Sequence, residues 1–177
     1  MKKFFHKNFC LIGSIMTGLF LFLDQWTKNL AVRHLKGQEP FVIWDGIFEF
    51  HYHENKGAAW GMMQGKQVFF YILTVLFCFV LFYEIYRLLK NIRYTPVLYI
   101  LVTLFAGTIG NFIDRIRLQY VVDFIYVKII NFPIFNLADC YITVSVVILM
   151  ILIFFMYNDE EFDEMFPFFK SKNKKEE

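Results

Sequence analysis

Four aspartates of this chain lie in or beside long apolar segments: Asp24, Asp114, Asp123 and Asp139. Ionisable groups at membrane depth are costly and usually face a bundle interior, a cavity or a partner, so each is a candidate functional residue. Asp123 stands in the apolar stretch VVDFI with no adjacent base. Asp139 stands in FNLAD, where Asn136 is predicted to be the N-cap of a helix with Asp139 at its third position. Asp123 and Asp139 are therefore the candidate catalytic residues.

Two carboxyl groups that lie close together in a poorly solvated site cannot both ionise easily, so they share one proton. Such a pair can hydrolyse a peptide bond, because the ionised member takes a proton from attacking water while the protonated member donates to the carbonyl oxygen. We expect Asp139 to be the ionised member, since it lies at a helix N-terminus, and Asp123 to carry the proton. The reaction needs no metal, no nucleophilic side chain and no other cofactor.

Polar residues on the third apolar segment share one face of the predicted helix, because Gly107, Asn111, Asp114 and Arg115 are spaced i, i+4, i+7 and i+8. Gly107 would allow a neighbouring backbone or a substrate to approach closely. Asp114 and Arg115 are adjacent, and we interpret them as a structural ion pair rather than as a catalytic acid and its partner.

Two further groups are candidates for holding the site or the substrate. Asp24 and Lys28 are spaced i, i+4, which is compatible both with a structural ion pair and with a role in supporting the site. Asn55 offers a donor and an acceptor to a peptide backbone, and Gly57 after it permits close approach.

The elements that must position these residues are helices that cross a membrane. The chain of 177 residues is 58% hydrophobic and 19% charged, which is too apolar for an ordinary soluble domain. Four apolar stretches are long enough to span the hydrocarbon layer, at residues 9–32, 68–86, 96–112 and 137–157. The sequence therefore predicts an all-α membrane protein, a four-transmembrane-helix bundle of one domain (residues 1–177) with a charged tail at 158–177.

The segment between the first two spans has a different periodicity. Phe48, Phe50 and Tyr52 alternate with polar residues, which is typical of a strand. We expect a small extracytoplasmic β region there.

Lysine and arginine cluster before the first span, between the second and third spans, and at the end of the chain. By the positive-inside rule these segments are cytoplasmic, so both termini are expected on that side and the four aspartates near the outer face. A net charge of +2 predicts no nucleic-acid partner.

A small transporter or channel subunit is the alternative function, because clustered membrane carboxylates often bind cations or relay protons. Transport would favour acids spread through the membrane depth or an internal repeat. Here the acids gather at one face and no repeat is apparent.

Five short motifs follow one another along the chain: DQWTK at 24–28, NKGAAWG at 55–61, GTIGNFIDR at 107–115, VVDFI at 121–125 and FNLAD at 135–139. In this order and spacing they resemble the lipoprotein signal peptidases, also called signal peptidase II. The similarity extends through nearly all of the chain from Asp24 to Asp139.

This resemblance implies a bacterial inner-membrane aspartic peptidase that cuts immediately before a diacylglyceryl-modified cysteine of a prolipoprotein. It implies Asp123 and Asp139 as the catalytic residues, and a site that opens sideways to membrane lipid. We expect the protein to be a monomer. In that family the matching residues line or brace the site, and here they are Asp24, Asn55, Gly107, Asn111, Arg115 and Asn136.

Overall fold

The computed structural model of this chain describes residues 1–57 and 65–167. Within these residues the helices and strands follow one another as α1 (Lys2–Lys7), α2 (Phe9–Leu35), β1 (Phe41–Trp44), β2 (Phe48–Asn55), α3 (Gln67–Leu88), α4 (Thr95–Leu118), β3 (Val121–Val127), α5 (Leu137–Met156) and α6 (Asp159–Met165). Short 3-10 turns at Ile92–Tyr94 and Lys128–Ile130 precede α4 and follow β3.

Four helices of the described chain are long and apolar enough to cross a membrane, and they confirm the four predicted spans. The third differs in length, because α4 runs to Leu118 whereas the predicted span stops at residue 112. The prediction stopped at the first charged residues, but Asp114 and Arg115 remain helical because their side chains find partners inside the protein. The helix ends at Gln119, whose φ of 68° is left-handed and closes α4.

The centre of the bundle is α4, which packs against α2, α3 and α5. Its residues Val97 and Leu98 are fully buried. By contrast α3 packs against α4 and buries only Phe70, Leu81 and Leu88. Most apolar side chains of α2, α3 and α5 are exposed around the outside of the bundle, as expected where lipid is the solvent. The chain is therefore a multi-pass membrane protein.

One end of the bundle carries an antiparallel sheet in the order β1-β2-β3. We call this the sheet end, where α2 and α4 finish and α3 and α5 begin. The predicted strand is present as β2, and the β region is larger than expected because VVDFI forms β3 and pairs with it. In the register of β2 with β3, His53 lies opposite Asp123. Through this pairing, β3, which follows the third span, lies beside β2, which follows the first span.

The opposite end of the bundle is closed by α6, within the segment expected to be only a charged tail. Asn158 caps this helix through a capping box with Glu161, whose carboxylate also accepts from Arg93 Nε at 2.6 Å. Tyr94 OH donates to Glu164 Oε2 at 2.5 Å, and the side chain of Met165 is 1% exposed. These contacts hold α6 against the connection between α3 and α4. Residues 168–177 lie outside the described residues.

Candidate active site

The four aspartates meet at the sheet end, although the chain separates the first from the last by more than a hundred residues. Asp24 is at the C-terminal half of α2, Asp114 on α4, Asp123 on β3 and Asp139 in the first turn of α5. Asp24, Asp114 and Asp123 are buried and Asp139 is half-buried. The predicted gathering of acids is present in the structure.

Asp139 is held by the start of its own helix. Asn136 Oδ1 accepts from the backbone N–H of Asp139 at 3.1 Å, and Asp139 Oδ2 accepts from the backbone N–H of Asn136 at 3.1 Å. This reciprocal capping box confirms the predicted N-cap. The second oxygen, Oδ1, accepts from Asn111 Nδ2 of α4 at 2.8 Å. Both oxygens of this carboxylate therefore face N–H donors.

Asp123 projects from β3 into the same network. Its Oδ1 accepts from Asn136 Nδ2 at 2.6 Å and its Oδ2 accepts from Asn55 Nδ2 at 2.9 Å. Only 1% of this residue is exposed. Burial raises the pKa of the Asp123 carboxyl to about 7, and the negative charge of Asp139 acts in the same direction. Asn136 donates to both carboxyl groups and therefore links Asp123 to Asp139.

Two of the asparagines have only one possible amide orientation. Asn55 Oδ1 accepts from the backbone N–H of Gly57 at 3.0 Å, which leaves its Nδ2 to face Asp123. Asn136 Oδ1 accepts from the N–H of Asp139, which leaves its Nδ2 to face Asp123 as well. An amide turned by 180° would place a donor against a donor. The two hydrogen bonds to Asp123 therefore have fixed direction.

Beneath the pair, Lys28 is bound between two carboxylates. Its Nζ lies 3.0 Å from Asp24 Oδ2 and 3.0 Å from Asp114 Oδ2, and its side chain is 3% exposed. The predicted pairing of Asp24 with Lys28 is present. The same carboxylates also hold backbone, because Asp24 Oδ1 accepts from Ala138 N–H at 3.0 Å and Asp114 Oδ2 from Val122 N–H at 3.1 Å. This cluster therefore ties α2 and α4 to the two segments that carry the catalytic candidates.

The expected ion pair between Asp114 and Arg115 is wrong, since Asp114 pairs with Lys28. Adjacent residues of a helix point in different directions and do not face each other. Arg115 Nη2 instead donates to the backbone oxygen of Gly57 at 3.3 Å, and its guanidinium lies 4.7 Å from the ring centre of Phe70. Arg115 thus connects α4 with the segment after β2. The rest of the NKGAAWG motif, from residue 58 onward, lies outside the described residues.

Glycines allow α4 to approach its neighbours closely. A Cβ at Gly107 would lie 2.6 Å from the backbone oxygen of Ala138, so the approach expected at this residue is made by the first turn of α5. A Cβ at Gly110 would lie 2.5 Å from Asp24 Oδ2. Gly110 was not among the predicted site residues, although its position three residues after Gly107 places it near the same helix face.

Gln25 is a second residue that the sequence analysis missed. Its Nε2 lies 3.1 Å from Asp24 Oδ2, 3.1 Å from Asp114 Oδ1 and 3.2 Å from the backbone oxygen of Gly110. The sequence feature that indicates a role for Gln25 is its position directly after Asp24 in the motif DQWTK. Among residues 1–57 and 65–167, no group of three or more His, Cys, Asp or Glu side chains is arranged to hold a metal ion.

Comparisons with known proteins agree with this geometry. The family model described as signal peptidase (SPase) II matches residues 16–155. The lipoprotein signal peptidase of Enterococcus faecalis is 41% identical over 144 residues, which cover 80% of this chain and 84% of that protein. The protein of the same name from Caldanaerobacter subterraneus is 42% identical over 142 residues, covering 80% of this chain and 94% of its own.

A solved structure of a bacterial membrane enzyme, determined by the in meso method at 2.3 Å resolution, is similar with a TM-score of 0.70 and 33% identity. The similarity covers 81% of this chain and 87% of that one. Sequence, fold and the carboxyl-rich site thus agree, and the chain belongs to the lipoprotein signal peptidase (signal peptidase II) family of membrane aspartic proteases.

Proposed function

We propose that this protein removes the signal peptide from diacylglyceryl-modified prolipoproteins, on the N-terminal side of the lipidated cysteine, with water activated by Asp123 and Asp139. One observation carries the proposal. Asn136 donates to Asp123 and caps the helix that carries Asp139 in its first turn, so it links two carboxyl groups from different elements. Membership of a family of enzymes favours this function over a transporter or channel subunit.

In the first step, the ionised carboxylate takes a proton from a water molecule as the water oxygen attacks the scissile carbonyl carbon. The protonated carboxyl gives its proton to the carbonyl oxygen, which forms a neutral gem-diol. In the second step, the first carboxyl donates its new proton to the leaving amide nitrogen while the other takes a proton back from a diol hydroxyl. The C–N bond breaks, and the products are a carboxyl group on the signal peptide and a free amine on the cysteine.

We assign Asp139 as the ionised member and Asp123 as the member that carries the shared proton. The burial that raises the pKa of Asp123 to about 7 supports this assignment, since it favours the protonated form near neutrality. Each carboxyl group accepts from two N–H donors, so these donors do not distinguish the two. The N-terminus of α5 favours a negative charge at Asp139, whereas the deeper burial of Asp123 opposes one there. A pH titration, assigned with the single Asp→Asn variants, in which Asp123 ionised before Asp139 would contradict the assignment.

The other residues around the pair act as supports. Asn55, Asn111 and Asn136 orient the two carboxyl groups through the hydrogen bonds described above. Gly107 admits the start of α5, and Arg115 holds the backbone next to Asn55. Asp24, Lys28 and Asp114 brace the segments beneath the site.

We place the sheet end on the extracytoplasmic side and both termini in the cytoplasm. Arg87 in the last turn of α3, and Lys90 and Arg93 in the connection after it, lie at the opposite end of the bundle, which the positive-inside rule assigns to the cytoplasm. In this orientation the active site lies near the outer face of the bacterial inner membrane, and the lipid chains of the substrate stay in the bilayer. We treat residues 1–177 as one domain that works as a monomer.

Cleavage of a purified diacylglyceryl-modified prolipoprotein by the detergent-solubilised protein tests this function. Asp123→Asn and Asp139→Asn should each abolish cleavage while remaining folded, and a chelator should not slow the wild type. Asp45→Asn, at an exposed turn before β2, removes a carboxylate away from the site and should keep the wild-type rate. An inactive wild type, or full activity in either catalytic variant, would refute the proposal.

A further inference from the structure

Among residues 1–57 and 65–167, Lys28 has three hydrogen-bond partners, and one of them points towards the catalytic pair. Two are the carboxylates of Asp24 and Asp114, and the third is Asn111 Oδ1 at 2.9 Å from Nζ. An ammonium group has three N–H donors, so this arrangement uses each of them. The contact with Asn111 is not needed to neutralise the cation, because the two carboxylates already do so.

The orientation of the Asn111 amide follows from its donors. Its Oδ1 accepts both from Lys28 Nζ and from Asn136 Nδ2, the latter at 3.1 Å. If the amide turned by 180°, its NH2 group would face an ammonium and a second NH2 group. Asn111 Nδ2 must therefore point to Asp139 Oδ1, where it lies at 2.8 Å. Lys28 is the charged one of the two groups that impose this orientation, and charged donors bind roughly twice as strongly as neutral ones.

The direction of that hydrogen bond matters for the chemistry. A carboxyl oxygen that accepts from N–H is favoured in its ionised form, because hydrogen bonds to the charged form stabilise it. With the amide reversed, Asp139 would face a carbonyl oxygen and would need a proton to make a hydrogen bond. The amide orientation therefore influences which member of the pair carries the shared proton.

We propose that Lys28 is a positioning residue which, through Asn111, keeps Asp139 as the hydrogen-bond acceptor and hence as the ionised member of the catalytic pair. The inference rests on the proposed function, since it assumes that Asp123 and Asp139 form the dyad. Lys28 makes no hydrogen bond to either catalytic carboxyl, and it reaches Asp139 through the Asn111 side chain. Its positive charge also acts directly on Asp123, where it lowers the pKa of the carboxyl against the larger effect of burial.

Other charged groups around the pair must be held constant in a test. His53 lies opposite Asp123 on β2, Asp24 lies on α2, and Asp114 and Arg115 lie on α4. Removing Lys28 alone would leave the carboxylates of Asp24 and Asp114 buried without a cation, which is expected to destabilise the fold strongly. Charge-matched double variants avoid this problem, because Lys28→Met combined with Asp114→Asn, or with Asp24→Asn, removes one charge of each sign.

The measurement is kcat/KM as a function of pH, for a diacylglyceryl-modified prolipoprotein and full-length protein that shows a cooperative thermal transition. The acidic limb of this profile reports the first ionisation of the pair in the free enzyme. Both double variants lack the cation that binds Asn111 Oδ1. We therefore expect kcat/KM to fall about tenfold at neutral pH and the acidic limb of its pH profile to lie about one pH unit higher than in the wild type. Either double variant is sufficient if the other does not fold.

Gln25→Met is the matched control, because Gln25 contacts Asp24 and Asp114 but not Asn111. Its acidic limb should coincide with that of the wild type. A folded double variant whose rate falls equally at every pH would give Lys28 a purely structural role and overturn the proposal. An equal shift in Gln25→Met would also overturn it. An inactive wild type, or an active Asp123→Asn enzyme, would refute the dyad itself, which is a separate result.

Discussion

Replacing Asp123 by asparagine should make the protein less stable than the wild type at acidic pH and more stable than the wild type at mildly alkaline pH. The folded protein holds the proton of Asp123 up to a pKa of about 7, whereas the unfolded chain releases it near 3.8. Between these values the folded state binds more protons than the unfolded state, so the free energy of unfolding of the wild type falls as pH rises. The loss is complete above the folded pKa.

The size of this effect follows from the shift. About three pKa units at roughly 1.4 kcal/mol each correspond to about 4 kcal/mol of stability lost by the wild type at alkaline pH. Asparagine cannot ionise and avoids this loss. Its NH2 group must, however, face Asn55 or Asn136, both of which donate to Asp123, and an unsatisfied buried donor costs roughly 1–3 kcal/mol at any pH. The variant should thus be less stable than the wild type near about pH 4 and more stable near about pH 8.

Equilibrium denaturation in detergent at these two pH values measures the difference directly. Asp45→Asn controls for the loss of one carboxylate, because that side chain lies in an exposed turn. Its effect on the free energy of unfolding should be small at both pH values. If Asp123→Asn changed stability by the same amount at acidic and alkaline pH, the inference that burial opposes ionisation of Asp123 would be refuted.

Other substitutions test the packing that positions the site. Gly110→Ala would place a methyl group against the Asp24 carboxylate and should abolish both folding and cleavage, whereas Gly18→Ala, with open space around it, should leave thermal stability and cleavage near wild type. Lys28→Met alone should cost about 3–5 kcal/mol in denaturation experiments, and part of that loss should return when Asp24→Asn is added. Met165→Ala should lower the unfolding free energy by about 2–5 kcal/mol without changing the cleavage rate of the folded fraction, since this buried side chain lies far from the sheet end.

Local patterns in the sequence are sufficient to predict the four spans and the capped first turn of α5. Apolar length determines which segments can cross a membrane, and a capping box involves residues only three positions apart. The aspartates could be brought to one end by topology alone, because alternating spans place Asp24 and Asp139 on the same side.

Features that depend on tertiary approach were not predictable in the same way. VVDFI is apolar on both sides of Asp123 and does not show the alternation of a half-exposed strand, so the sequence does not predict β3. The pairing of Asp114 with Lys28 depends on how closely α2 and α4 approach each other, and Gly110 permits that approach. Sequence adjacency favoured Arg115 as the partner, but helical geometry turns the two side chains apart.

The position of α6 has a consequence for how the protein is made. Arg93 and Tyr94 emerge from the ribosome before the last span, and their partners Glu161 and Glu164 emerge after it. Since domains are synthesised from the N-terminus, this end of the bundle can close only when all four spans have been produced. Until then the connection between α3 and α4 lacks these contacts, and a nascent chain arrested before residue 158 would present it to the membrane-insertion machinery in an open form.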